Sequence, residues 1–186
     1  MDEDQEPVAL GVVPLDGRGS LPFALVHGES LVAAASWALT TAGAELFDFN
    51  VPFDDVRRSG RPVVLHDPLC PLTPADFIEQ VIALAVESAT IVVGVRPVTD
   101  TVKESDRDLV GATVDRSQLV AVASPIVLPA AVVAELDSLA VQGFAALVEM
   151  LRTRWPVTFI DAPPMARRIG SQEDLRILEA LSDGLA

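Results

Sequence analysis

Three polar segments interrupt an otherwise apolar chain of 186 residues: HDPLCPL at 66–72, PVTDTVK at 97–103 and TVDRSQLVAVASP at 113–125. In the first, the apolar run Val63, Val64, Leu65 ends abruptly in His66 and Asp67. A carboxylate at the carboxyl end of a buried strand stands where open α/β sheets bind their ligands. The alternative is that Asp67 only turns the chain ahead of Pro68. A second candidate is the loop Asp16-Gly17-Arg18-Gly19-Ser20, set between the apolar stretch 7–15 and a helical segment beginning near Ser30. Strand, glycine loop and helix in that order cradle phosphates, because main-chain N–H groups and the helix N-terminus face the anion. A plain turn would use the same glycines.

The elements that must carry these residues follow from the apolar pattern. Residues 7–15 and 90–95 read as buried strands, the second as a central parallel one. Leu31, Ala35, Ala38, Leu39 and Ala42 recur at helical spacing, so 31–46 is expected to be an amphipathic helix. From 45 to 61 no period holds, and Phe47, Phe49 and Phe53 are expected to cover exposed sheet. Thr73 is placed to cap a helix with Pro74 in its first turn and Asp76 against the dipole. Phe77, Ile78, Val81, Ile82 and Ala85 form its buried face. Stretches 97–103 and 109–114 read as two strands, 128–139 and 144–151 as apolar helices, and 157–160 as a last strand. Ser171 caps the final helix, with Asp174 three residues on and Leu175, Leu178 and Leu181 facing inward.

Composition bounds the function. A formal charge of −14 and a pI near 4.3 argue against nucleic acid and anionic membrane as partners, since both need a basic footprint. A phosphorylated ligand must then be met by a local cluster drawn from only 13 Lys and Arg. Half the residues are hydrophobic and mean hydropathy is +0.40, yet no apolar run reaches the ~18 residues of a membrane span. That excess belongs in a core and a subunit interface. The length suits one domain, residues 1–186. The acidic start MDEDQEP lacks a signal pattern, so cytoplasm is expected. Cys70, the single cysteine, excludes an intramolecular disulfide and a cysteine-rich metal site, and it reads as a packed side chain. His27 and His66 read as structural.

The order and spacing of Asp67, Thr101, Arg116 and Ser124 within the three segments resemble the 2-C-methyl-D-erythritol 4-phosphate cytidylyltransferases. The resemblance covers 61–128 and returns in RRIGSQEDLRILEAL near the C-terminus. It implies a three-layer, Rossmann-like α/β domain of the nucleotide-diphospho-sugar-transferase kind, with a mostly parallel sheet and a protruding β-arm at 97–124. The arm would make a homodimer, carrying Thr101 and Arg116 to the partner's substrate phosphate; alternatively Arg116 pairs with Asp115 or another acidic group. The family reaction would join CTP to a polyol phosphate. Arg168 stands where the family has a lysine near the reacting phosphate, Asp67 is the second catalytic position, and Ser124 keeps the hydroxyl of the family's threonine. Gly17, Arg18 and Gly19 would hold the nucleotide. A Mg²⁺ could form a site at Asp67 if nucleotide phosphates supplied the other oxygens.

The departures fall on the nucleotide side. Phe23 follows Pro22 where the family has a lysine, Cys70 occupies an arginine position, the glycine loop is short, and a segment the family carries between 45 and 61 is not visible; separately, Ile126 stands where the family has a glutamine. Three readings follow: a divergent cytidylyltransferase with weak or lost catalysis, a non-catalytic dimeric polyol-phosphate-binding or scaffold protein, and transfer with a different base or acceptor using Arg18.

Overall fold

The computed structural model describes residues 8–48, 50–98, 103–106, 109–113, 119–141 and 143–182, with the backbone alone for 103–106 and 109–113. The first half runs β1 (Ala9–Val12), the hairpin β2 (Leu25–Val26) and β3 (Glu29–Ser30), α1 (Leu31–Thr41), β4 (Ala44–Leu46), α2 (Phe53–Arg58), β5 (Val63–Leu65) and α3 (Ala75–Ser88). The second half runs β6 (Ile91–Pro97), the hairpin β7 (Lys103–Asp106) and β8 (Leu109–Thr113), β9 (Val120–Leu128), α4 (Ala130–Glu135), α5 (Phe144–Leu151), β10 (Val157–Asp161) and α6 (Gln172–Ser182).

Six strands form one sheet in the order β10-β6-β9-β5-β1-β4. Pairing is parallel for β1 with β4, β1 with β5 and β6 with β10, whereas β9 runs antiparallel to both β5 and β6. The apolar runs are continuous because both faces are covered. Leu10, Val12, Val63, Leu65, Ile91, Val93, Val95, Ile126 and Leu128 meet α2, α4 and α5 on one face. Ala9, Val64, Val92 and Val127 alternate with them and meet α1 and α3 on the other. A third cluster joins Val26, Leu31, Leu69, Ile169, Leu175 and Leu178, pinning α6 to the β2–β3 hairpin and the loop after β5. The expected three-layer α/β architecture, with a mostly parallel sheet and a β-hairpin, is the one found.

Local departures have local causes. The helix expected over 31–46 stops at Thr41: Gly43 takes φ +80, the left-handed conformation that ends helices, and β4 follows as an edge strand. The stretch 45–61 is not patternless, since α2 forms there with Asp54 and Asp55 in its first turn and Arg57 and Arg58 in its last, matching the helix dipole. Phe47 and Phe53 are half-buried against the core, while Phe49 lies outside the described residues. Pro74, not Thr73, is the N-cap of α3; the Thr73 hydroxyl donates to the Cys70 carbonyl at 2.9 Å instead.

Strand β6 is parallel to β10 only, and it is bounded on its other side by antiparallel β9. Pro97 closes β6, and the described part of the hairpin strand expected over 97–103 is Lys103–Asp106. Leu128 belongs to β9, and the helix after it covers only Ala130–Glu135. Ser171 does cap α6, accepting from the Asp174 N–H at 3.1 Å, and the Asp174 carboxylate accepts from the Gly170 N–H at 2.9 Å. Leu181 faces solvent. Among the described residues, no helix is long and apolar enough to cross a membrane.

Candidate functional site

Strand β5 ends at Leu65, and His66 still donates its main-chain N–H to Val12 at 3.0 Å, so the chain leaves the sheet only at Asp67. There the carboxylate turns back on its own backbone. Asp67 Oδ1 accepts the Leu69 N–H at 3.1 Å, an Asx turn across Pro68. The same oxygen accepts Arg18 Nε at 2.8 Å, and Oδ2 accepts Arg168 Nε at 3.0 Å. One carboxylate is therefore held between two guanidiniums from opposite ends of the sequence.

Each arginine is delivered by its own neighbours. Gly17 and Gly19 have φ +75 and +58, conformations that favour glycine, and they turn the short loop on either side of Arg18. Arg18 donates through Nη1 to the Asp16 carbonyl at 2.7 Å and lies over the Phe144 ring, 5.5 Å from its centre. Its side chain is 3% exposed. Arg168 is brought in by Ile169, which is fully buried and donates its N–H to the Leu69 carbonyl at 2.8 Å. Arg168 itself stays 47% exposed, so one cation of the pair faces solvent.

Behind the carboxylate lies a buried polar pair. The Ser124 hydroxyl is 2.5 Å from His66 Nδ1 and accepts the Asp67 main-chain N–H at 2.9 Å; both side chains are fully buried. The backbone of Ser124 is set by a close approach to β6, where a side chain on Gly94 would stand 2.9 Å from the Ser124 carbonyl oxygen. The β6–β9 register shifts at this point, between Val93 and Val95.

The titrations follow. Burial lowers His66 to about 4, partly opposed by the charge of Asp67, so the ring is neutral. Burial pushes Asp67 up, but the hydrogen bond and charge of Arg18, the Leu69 N–H and the charge of Arg168 together hold it below the usual carboxylate value. Cys70 is pushed far up by burial and by Asp67, against the opposing charges of Arg168, Arg18 and Arg96. Arg96, at the end of β6, is the functional candidate that sequence reasoning missed. It donates through Nη1 to the Ala162 carbonyl at 3.2 Å. Its signal was available, a lone arginine closing the apolar run TIVVGV.

The structure brings Asp67, Arg18, Arg168 and Ser124 together, with Gly17 and Gly19 beside them. Ser124, expected at the substrate phosphate, has its hydroxyl engaged inward. Thr101 and Arg116 lie outside the described residues. The arrangement does not fit a Mg²⁺ on Asp67. A hard dication needs several oxygen ligands, whereas both carboxylate oxygens here face guanidiniums, and no three His, Cys, Asp or Glu side chains gather as ligands among the described residues. The chemistry on offer is anion binding: two guanidiniums meet one carboxylate in a protein of charge −14.

A family model described as IspD, 2-C-methyl-D-erythritol 4-phosphate cytidylyltransferase, matches residues 52–181. The cytidylyltransferase of that name from Frankia casuarinae is 36% identical over 172 residues, covering 81% of this chain and 63% of the relative. That from Corynebacterium diphtheriae is 29% identical over 171 residues, covering 88% and 64%. The chain thus spans less than two thirds of the length of these relatives. The solved 2-C-methyl-D-erythritol 4-phosphate cytidylyltransferase of Thermus thermophilus superposes with a TM-score of 0.65 at 22% identity, over 93% of this chain and 98% of that one. That of Francisella tularensis gives 0.62 at 14% identity, over 91% and 97%. The solved structures establish the fold. The matched region holds Asp67, Ser124 and Arg168 in order and covers most of the chain, which therefore belongs to the 2-C-methyl-D-erythritol 4-phosphate cytidylyltransferase family.

Proposed function

We propose that the protein binds CTP and a phosphorylated polyol of the methylerythritol phosphate kind and transfers the cytidylyl group between them, more slowly than an ordinary enzyme. A phosphate oxygen of the polyol attacks the α-phosphorus of CTP, one P–O bond forms, the α–β anhydride bond breaks, and pyrophosphate leaves. The attacking oxygen is already ionised, so no base has to remove a proton. What the protein supplies is position and positive charge against the charge gathering on the transferred phosphoryl group.

The observation that carries this reading is the excess of guanidinium over carboxylate at the carboxyl end of β5, in a chain that is otherwise strongly acidic. Arg168, half-exposed, is the cation that reaches the reacting phosphate. The loop N–H groups around Gly17 and Gly19 face the nucleotide, and any Mg²⁺ enters on the nucleotide's own phosphates. The arm at 97–124 joins two protomers, so Thr101 and Arg116 serve the acceptor phosphate across the dimer.

Slow turnover follows from two features. Arg18 is committed to Asp67 at 3% exposure, and Phe23, 60% exposed after Pro22, carries no charge. The closed Arg18–Asp67 pair also favours a second reading, a dimeric binder of phosphorylated polyols without catalysis. Pyrophosphate release from Mg·CTP and methylerythritol phosphate separates the two. The expected rate is measurable but below ~1 s⁻¹, and R168A abolishes it. Thermal stabilisation by methylerythritol phosphate without any pyrophosphate supports the binder. No release and no stabilisation by either ligand defeats both.

A further inference from the structure

We propose that His66 is a positioning residue of this site, acting through the Ser124 hydroxyl to fix the main-chain N–H of Asp67 and so the direction of the carboxylate held between Arg18 and Arg168. The proposal rests on reading Asp67 as the centre of the functional site.

The hydrogen bonds link His66, Ser124 and the Asp67 main chain in one chain. Asp67 donates its N–H to Ser124 Oγ at 2.9 Å, which occupies a lone pair of that oxygen. His66 Nδ1 stands 2.5 Å from the same oxygen, which either donates its hydroxyl hydrogen to the ring or accepts from it on its second lone pair. The ring's loss of basicity on burial keeps it neutral in this chain.

Space-filling alone does not account for a histidine here. Nε2 is buried and finds no hydrogen-bond partner among the described residues, and an orphaned buried polar atom is costly. An apolar side chain would fill the same volume without that cost, but it would leave Ser124 Oγ without its ring partner. The scaffold invests elsewhere in the same serine. Gly94 leaves room for its carbonyl, since a Cβ there would stand 2.9 Å from the oxygen, and the β6–β9 register shifts beside it. Among the described residues, the Ser124 hydroxyl meets the site through the Asp67 N–H.

The test exploits the difference between the two ring nitrogens. The amide of asparagine can superpose on Nδ1, whereas that of glutamine reaches toward Nε2. Amide hydrogen exchange at Asp67 is therefore measured by NMR in the wild type, H66N, H66Q, S124A and S124T, with protection across β5 and α3 as the control for folding. Exchange at Asp67 should be at least about tenfold faster in S124A and H66Q, and near wild type in H66N and S124T. A packing role predicts the reverse order for Asn and Gln, because Gln is closer to His in volume. That order, or equal exchange in every variant, overturns the proposal. Imidazole ¹⁵N shifts should report a neutral ring in the wild type near neutral pH, and an imidazolium would also overturn it. A wild type that releases no pyrophosphate defeats the proposed reaction while leaving the exchange pattern to decide the role of His66.

Discussion

Acidification should destabilise this protein earlier than its carboxylates would predict, and His66 is the reason. The ring is fully buried and neutral, with its pKa lowered to about 4 from an ordinary 6.5. Because the folded value lies below the unfolded one, the unfolded chain binds the proton first. Stability is thus complete above about pH 6.5, falls as the pH drops toward 4, and loses nothing further to this group below that. Linkage over the interval gives a loss of about 2 kcal/mol near pH 5, rising to about 3 kcal/mol near pH 4. For a chain of this size a 2 kcal/mol loss lowers the melting temperature by roughly 4–8 °C. Overall charge works the other way, since acid relieves the self-repulsion of a protein at −14. The comparison must therefore be made against H66N, which removes the titration and keeps the background. Urea unfolding of both proteins at about pH 7 and pH 5 should show the wild type losing about 2 kcal/mol more than the variant. Parallel losses, within about 0.5 kcal/mol of each other, would mean that His66 is not held neutral and that the relay to Ser124 is misassigned.

Three further outcomes check other parts of the structure. G94A places a Cβ 2.9 Å from the Ser124 carbonyl oxygen, a main-chain atom that cannot swing aside. Urea unfolding should show a loss of about 1–3 kcal/mol, and a wild-type midpoint would mean that β6 and β9 have slack at their register shift. S171A removes the hydroxyl that accepts the Asp174 N–H at the start of α6. It should cost about 1 kcal/mol, read as a fall of roughly 2–4 °C in melting temperature, and no change would mean that Asp174 carries the cap alone. Cys70, fully buried with its thiol pushed up by burial, should resist iodoacetamide in the folded protein and label completely in urea. Rapid labelling of the native protein, seen by intact mass, would contradict its burial.

What was legible in the sequence follows from how each signal is made. Val63, Val64 and Leu65 announce a strand because both faces of the sheet are covered, so burial makes the run continuous. The buried face of α3 announces itself because fourteen residues repeat the helical period several times. By contrast β4 has three residues and lies at the sheet edge, and α2 has six with only Val56 fully buried. Neither is long enough to show a period. The Thr73 cap failed because its hydroxyl found the Cys70 carbonyl three residues back. The candidate site was legible as residues and not as bonds. Arg18 meets Asp67 across 49 positions and Arg168 meets it across 101, and nothing local in the chain marks either pairing.

The turn before Pro68 and the carboxylate at the strand end, which the sequence offers as alternative readings of Asp67, are joined in one set of hydrogen bonds. The Asx turn to Leu69 fixes one carboxylate oxygen relative to the backbone, and the same oxygen then meets Arg18. Leu69 in turn anchors Ile169 through its carbonyl, which sets Arg168 against the other oxygen. A charge buried this deeply is tolerated only when it is paired and its lone pairs are satisfied. The turn therefore does more than redirect the chain: it aligns the acceptor that draws both cations in. Arg18 is consumed by that pairing because it is enclosed, whereas Arg168 keeps half its surface in solvent and remains able to meet an anion. The division of labour between the two arginines, one structural and one available, thus follows from their exposure rather than from their chemistry, which is the same.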